Sequence, residues 1–375
     1  MLKQSLIAGL GLVLSAASSW AAEDALHLSV VSALPKNHVA LKIFRERFQS
    51  EVERRMAEAE AGTVVWDETH AGTLARYGGV LEAVEDDLAL FGIVSVNHET
   101  KRLPLQNLTF RTPFTTESCV TVGSAYHAIR QTLDGMTAPF AAARQTYLAA
   151  LASYGYDFIA TQKIRNAADM RGVPMAVTDR IEDWIAGVDG APVRLQAKLL
   201  NARLEDGALV GALLPTTEMQ RLGLKRHADH FTRTGFGAQV PFVVTVNTKA
   251  FDALPAALHE AVRETVSDFV PAAAEDYCAA GLAALEKLKT QGIRTAKLLK
   301  SRREQWSSVL PPMAQAWVRR NDQAGRPGSQ AVAAYMNHLE VAGARVMRDW
   351  SLPAPKGALE KLVPTMTEVS RAPAN

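Results

Sequence analysis

The sequence predicts an α/β chain of two lobes, with mostly parallel sheets flanked by helices and a helical C-terminal region. Three observations predict it. Short β-branched runs alternate with helical patterns up to about Val96, and a second alternation begins near Tyr154. From Phe251 onward the pattern is nearly all helix. A length of 375 residues allows two domains with cores of their own. Lys+Arg 41 against Asp+Glu 39 gives a formal charge of +2, too balanced for a nucleic-acid carrier or a polybasic membrane binder. With 48% hydrophobic and 21% charged residues, the composition is that of a folded chain.

The first segment reads as an export leader. Met1–Ala21 carries Lys3, then the apolar run Leu6–Ala17, then Ser19 and Ala21 at positions suited to cleavage. The run is shorter than the roughly 20 residues that span a bilayer. The expected location is therefore periplasmic, after removal of a signal peptide. Cys119 and Cys278 are compatible with one bridge or with two separate buried thiols.

Leu26–Ala33 is a buried-strand run broken at Pro35-Lys36-Asn37, and His38–Ala59 has apolar residues at helical spacing. Thr63–Trp66, a helix near Leu74–Val84 and a strand Leu88–Val96 complete a β-α-β-α-β order, which implies parallel pairing. Ligands of such sheets sit beyond the carboxyl ends of the strands, here Ser32–His38, Asp67–Thr73 and Phe91–Asn97. Leu103–Phe114 reads as loop and Ala125–Leu151 as helix. Strands follow at Tyr154–Thr161, Val173–Val177, Ala208–Leu214 and Gln239–Asn247, with Pro241 suggesting an irregularity in the last. Helices are expected at Ala257–Val270, Ala272–Lys289, Arg302–Gln323 and Ser329–Trp350.

Catalytic motifs are missing: there is no P-loop, no G-x-S-x-G, no H-E-x-x-H and no C-x-x-C. His227 and His230 lack a placed third ligand for zinc. Gly235-x-Gly237 has no following helix, so it is not a dinucleotide loop. The expectation is no enzyme, no cofactor, no metal, and a solute held between hinged lobes.

Six segments in order also resemble one family. They are Leu28–Ala33 with Pro35 and His38, Asp87–Leu90, Leu108–Phe114, Ile164–Gly172, Leu204–Pro215, and Pro241–Asn247 with Phe251–Pro255. Together they resemble the solute receptors of tripartite ATP-independent periplasmic (TRAP) transporters, of the C4-dicarboxylate-receptor type. The resemblance covers about Leu26 to Trp317. It implies a periplasmic-binding-protein-like two-lobed fold with hinge-crossing strands at Tyr154–Thr161 and Gln239–Asn247. It implies a first lobe of residues 22–153 plus 239–300 and a second of 154–238. Helices of 301–350 would pack over both, ahead of a loose tail at 351–375. Its implied partners are a small organic solute and the membrane permease subunits.

The departures from the family pattern bear on the ligand. Family members place an arginine where this chain has Ala176, to grip a substrate carboxylate bidentately. Leu213-Leu214-Pro215 stands where the family has Glu-Asn-Pro, and no arginine accompanies Tyr156-Asp157-Phe158. These changes favour a less charged, more apolar or aromatic solute. The ligand-binding candidates are Asn37, His38, Thr73, Arg76, Tyr77, Phe91, Ser95, Asn97, Tyr156, Leu214, Phe236 and Gln239. Arg76 is the one cation near the inferred cleft. A periplasmic sensory protein and a periplasmic enzyme are the alternative readings.

Overall fold

Leu28, Val30 and Val31 are all buried, so the first strand, β1 (Leu26–Ser32), is covered on both faces. The structure is a computed structural model that describes residues 25–351. The predicted leader and the predicted tail beyond Ser351 lie outside the described residues. β1 pairs in parallel with β2 (Val64–Thr69) and β3 (Phe91–Ser95). β4 (Gln145–Ser153) and β10 (Gln239–Asn247) complete the first sheet, whose order is β2-β1-β3-β10-β4. β10 runs antiparallel to both of its neighbours.

The second sheet contains β5 (Tyr156–Ala160), β6 (Pro174–Val177), β7 (Ala191–Arg194), β8 (Gly211–Pro215), β9 (His230–Arg233) and β11 (Arg294–Lys297). Their order is β11-β9-β5-β8-β6-β7. β6 lies parallel between β7 and β8, whereas β5 is antiparallel to β8 and β9. Antiparallel pairing thus surrounds the chain crossings in each sheet. β4 leads through Tyr154-Gly155 into β5, and β9 leads through 234–238 into β10.

Three differences from the sequence reading have physical causes. Residues 145–153 form a strand rather than the end of a helix. Tyr147, Ala150 and Ala152 join one apolar cluster while Leu148, Ala149 and Leu151 join another. Burial on both faces erases the alternation that would have marked a strand. The two helices expected on either side of Pro271 are one, Ala256–Thr290. Proline inside a helix removes a hydrogen bond, but Phe269, Val270, Ala273 and Ala274 around it are all buried, and their packing carries the helix through. Conversely, the helix expected at Arg302–Gln323 is split into Lys300–Val309 and Met313–Gln323, with Pro311 and Pro312 in the gap.

The cores explain how these pieces cohere. One cluster packs β1, β3 and β10 against the helical stretch of 39–58 and the first half of Ala256–Thr290. A second lies under β5 and β8 and takes Leu285 and Leu288 from the other end of the same helix. At 35 residues that helix is about 52 Å long, and it packs against β4 of the first sheet and against the helix Thr216–Arg221 that follows β8 of the second. The largest cluster runs continuously from Val94 and Val243 of the first sheet to Phe158 and Leu213 of the second. Four indole N–H groups tie this cluster to backbone or amide oxygens. Trp184 donates to the Phe110 carbonyl (3.1 Å), Trp306 to Trp184 (2.9 Å), Trp317 to Asn107 Oδ1 (2.9 Å) and Trp350 to Pro113 (2.7 Å). The stretch read as loop, Leu103–Phe114, is therefore mostly buried interior.

Cys119 and Cys278 form a disulfide, with Cα atoms 5.9 Å apart. It joins the helix Cys119–Thr132 to the long helix and settles the question that the sequence left open. Closing so large a loop is expected to stabilise the fold by about 2–5 kcal/mol. Replacing both cysteines by alanine should lower the unfolding free energy by that amount, measured by guanidinium titration. The variant should also lose the response to reductant that the wild type shows.

Candidate functional site

The polar groups that converge do so where the two sheets face each other. His38 caps the helix Val39–Ile43: its Nδ1 accepts the Ala40 N–H at 3.1 Å. That bond places the proton of the neutral ring on Nε2, which points toward Glu218 Oε1 at 3.6 Å. Burial, ahead of the opposing Glu218 charge, lowers the His38 pKa and keeps the ring neutral. The ring also stands edge-on to Phe242, with centroids 5.5 Å apart.

Glu218 and Arg221 lie on the short helix Thr216–Arg221 that follows β8. Arg221 grips Glu218 with two bonds, Nε to Oε1 at 2.8 Å and Nη2 to Oε2 at 2.6 Å. Burial raises the Glu218 pKa, but the Arg221 bonds and the facing His38 outweigh it and hold the carboxyl below its usual range. A cavity of about 480 Å³ opens beside this pair, lined by Asn37, Lys42, Thr217, Glu218, Arg221 and Ala284 among others. That size suits a small molecule. A larger cavity of about 890 Å³ lies between Lys300–Val309 and Gly328–Val341, and none of the interlobe groups lines it.

The second contact across the cleft centres on Asp179, in the turn after β6. Asn97, beyond the end of β3, donates Nδ2 to the Asp179 carbonyl at 2.5 Å. Tyr156 and Thr178 both donate their hydroxyls to Asp179 Oδ2, each at 2.9 Å. Asp179 and Arg180 have φ of +55° and +58°, a conformation that non-glycine residues avoid. Ser95 Oγ lies 2.9 Å from His98 Nδ1, and the His98 ring is 4.6 Å from that of Tyr77. Tyr77 is 46% exposed, so it stands at the edge of the cleft; partial desolvation, then the Asp179 and Glu218 charges, raises its phenol pKa. The same two carboxylates, after burial, act on Tyr156 and Tyr277.

Of the sequence candidates, His38, Tyr77, Ser95, Asn97 and Tyr156 come together here, and Asn37 lines the adjoining cavity. The others are placed elsewhere. Phe91 turns into the first core, against Phe48, Trp66 and Phe251, because its strand is buried on both faces. Leu214 faces the core beneath the second sheet, with Ala176 and Met219. Only its neighbour Leu213 belongs to the cluster that joins the two sheets. Phe236 packs among Phe114, Phe158, Trp184 and Trp306. Gln239 is buried at the crossing, its Nε2 3.4 Å from the Gly237 carbonyl. Thr73 donates its hydroxyl to the His70 carbonyl within an exposed loop, and Arg76 is exposed in the same loop. The cation paired within the cleft is instead Arg221, with Lys42 on the cavity beside it.

Sequence reading missed His98, Asp179, Glu218, Arg221 and Tyr277. Asp179 and Glu218 were within reach. Each lies just past the carboxyl end of a parallel strand of the second sheet, where the same rule that singled out the strand ends of the first sheet applies. Tyr277 sits mid-helix and gives no such signal.

A family profile described as bacterial extracellular solute-binding protein, family 7, matches residues 31–321. The chain belongs to that family. Its members are solute-binding proteins, not enzymes. Similar solved structures share the fold. One is a TRAP periplasmic solute-binding protein from Desulfovibrio salexigens (17% identity, TM-score 0.73), covering 84% of this chain and 96% of that one. Another is a marine metagenome TRAP solute-binding protein specific for aromatic acid ligands, in complex with metahydroxyphenylacetate. It has 16% identity and a TM-score of 0.72, covering 84% of this chain and 99% of that one. A third, from Bordetella bronchiseptica, holds (R)- and (S)-mandelate (19% identity, TM-score 0.69, covering 84% of this chain and 99% of that one). No curated protein matches the chain by sequence.

Beneath the cleft, Asp157 accepts the Thr234 N–H at 2.8 Å and the Thr216 hydroxyl at 3.1 Å, tying the Glu218 helix to the chain crossing. Burial pushes its carboxyl up to about 7. A raised folded-state pKa gives stability that is complete below the ordinary carboxylate range and is lost as pH rises to about 7. In Asp157→Asn that titration is gone. The difference in Tm, variant minus wild type, should shift in the variant's favour between about pH 4 and pH 8. Differential scanning fluorimetry checks this, and a pH-independent difference would contradict the assignment.

Proposed function

We propose that this protein captures a small aromatic or weakly charged organic solute between its two sheets and delivers it to the membrane permease subunits of a TRAP transporter. It works in the periplasm after loss of a signal peptide at Met1–Ala21. Residues 22–153 and 239–300 form one lobe and 154–238 the other, with the short strand Arg294–Lys297 lent to the second sheet. His38, Tyr77, Ser95, Asn97 and Tyr156 bind the solute, together with His98, Asp179, Glu218, Arg221 and Tyr277.

The observation that carries this reading is the convergence of aromatic rings and hydrogen-bonding groups from both sheets around Asp179 and Glu218. The ligand class is argued from the residues that stand in the family's usual anion clamp. Ala176 lies in an apolar cluster with Leu214, and Arg221 is already occupied by Glu218. A dicarboxylate would have to be desolvated against two protein carboxylates. The mandelate and metahydroxyphenylacetate held by similar structures show that this fold accommodates aromatic solutes. Neither a sensory nor an enzymatic role has comparable support.

The test is a thermal-shift screen over mono- and dicarboxylates, aromatic acids, sugars and neutral amides. A true ligand at about 100 times its Kd stabilises the fold by about 2.7 kcal/mol. Aromatic compounds should raise the Tm more than any dicarboxylate, and Tyr156→Ala should abolish the rise. A dicarboxylate outperforming every aromatic and neutral compound would overturn the ligand assignment.

A further inference from the structure

The cavity of about 480 Å³ beside the Glu218–Arg221 pair has an unbalanced wall. Three cations line it, Lys42, Arg221 and Lys287, against one carboxylate, Glu218. Arg221 occupies both Glu218 oxygens, so that pair cancels and the two lysines set the sign of the cavity. Among the described residues, Lys42 meets only Glu46, at 3.7 Å, with both side chains largely exposed. Such a pairing is worth little. Lys287 has no ion-pair partner among the described residues. Thr217 also lines the cavity, and its hydroxyl oxygen is buried without a hydrogen-bond partner.

The rest of the wall is largely apolar. Ala280, Ala284 and Lys287 recur at helical spacing on the long helix, with Ala283 beside them, so small side chains leave room next to a lysine on the same face. Val39 adds apolar surface from the helix Val39–Ile43. An ammonium group donates and does not accept, so the lysines call for an acceptor of negative charge. A carboxylate meets that need, and the unpaired Thr217 hydroxyl can donate to it as well. A ring attached to the carboxylate finds the alanines and Val39, the mix of apolar wall and a few polar groups that small-molecule sites present. A second carboxylate on the same solute would find no comparable cation, because Arg221 is already engaged.

We propose that this cavity receives an aromatic monocarboxylate, its carboxylate held by Lys42 and Lys287 with Thr217 as a hydrogen-bond donor, and its ring on Val39 and the three alanines. The inference rests on the proposal that the protein captures a small organic solute between its two sheets. It goes further by assigning the sign of the solute's charge and the residues that read it. Lys42 and Lys287 belong to the first of the proposed lobes and Thr217 to the second, so one carboxylate bridges them. The charge is then read from helices, not from the strand position that Ala176 holds.

Isothermal titration with the purified protein at low ionic strength tests it, comparing benzoate and phenylacetate with benzamide and phenylacetamide. Each acid should bind at least ~10-fold more tightly than its amide, and added salt should erode that advantage because exposed lysines are screened. Lys42→Ala and Lys287→Ala should each weaken the acids, and the double variant should bring them level with the amides. Lys287→Arg, which keeps the charge, should retain most of the preference. Ala283→Leu, which fills the cavity from an exposed helix position, should weaken acids and amides alike. All three altered residues are exposed, so lost binding with an unchanged Tm of the ligand-free variant reports on the site and not on the fold.

A preference for the acids that survives in the double lysine variant would show that the charge is read elsewhere and overturn the proposal, with capture between the sheets left intact. Amides binding as tightly as their acids, or no binding by any of the four, would also overturn it. A lack of stabilisation by every compound in the broader thermal-shift screen is the separate result that removes the interlobe receptor reading itself.

Discussion

The structure depends on taking one chain from the first sheet to the second and back again through the same narrow place. β4 and β10 are antiparallel neighbours in the first sheet, and their continuations β5 and β9 are antiparallel neighbours in the second. Between them, the backbones at Gly155 and Gly237 approach so closely that a Cβ on Gly155 would lie 3.1 Å from the Gly237 carbonyl oxygen. Gly237 has φ +96°, and a Cβ there would lie 3.0 Å from the Thr116 carbonyl oxygen. Only glycine meets both demands at 237. The segment 114–116 seals the crossing: Phe114 donates its N–H to the Phe236 carbonyl, and Ala238 donates to Thr116. Tyr156 stands on a strand that this double crossing orients, and Asp157 beside it holds the helix that carries Glu218 and Arg221.

The polar chemistry under the cleft arises from the same geometry. Thr234, in the second crossing, donates its hydroxyl to the Tyr156 carbonyl at 2.6 Å and its N–H to Asp157. Asp157 passes the constraint on to Thr216, the first residue of the helix that carries Glu218 and Arg221. A buried carboxyl is tolerable here because each oxygen has a donor. The backbone crossing, the Asp157 bonds and the Glu218–Arg221 pair therefore form one connected support. A disturbance at Thr234 reaches the cleft along two routes, directly through Tyr156 and through Asp157 to the Glu218 helix.

Much of this was legible in the sequence, and the reasons for the rest are specific. Gln239–Asn247 could be read to its very ends because β-branched residues and a capping Asn247 bracket it. Asn37, His38, Ser95 and Asn97 were singled out because strand carboxyl ends are where ligands of such sheets bind, and they lie where the two sheets face each other. Phe91 and Leu214 were misplaced because a strand buried on both faces gives no sign of which face looks outward. β4 was misread for the same reason. Gly235-x-Gly237 was correctly refused as a nucleotide loop, yet its actual role needs Gly155 beside it, and a contact between positions so far apart in sequence leaves no local pattern. Asp179 was missed because the resemblance drew attention to the absent arginine at Ala176 rather than to the carboxylate three residues further along the chain.

The interactions across the cleft differ in kind from those that join the sheets elsewhere. At the mouth they are few and polar: Asn97 to the Asp179 carbonyl, and His38 facing Glu218 beyond hydrogen-bond length. A neutral hydrogen bond of this sort contributes about 0.5–1.5 kcal/mol, because water replaces it when it breaks. Away from the mouth the sheets share a continuous apolar cluster, four indole anchors and a long helix with one end in each remaining core. Exposing that surface costs about 25 cal/mol for each Å² of apolar area, with no compensating partner in water. Parting the sheets at the mouth would therefore cost less than parting the spine of aromatic packing. On the proposed reading, a solute between the sheets would sit at the point where the protein's own contacts are weakest. That is where modest binding energy can do most to decide between an open and a closed cleft.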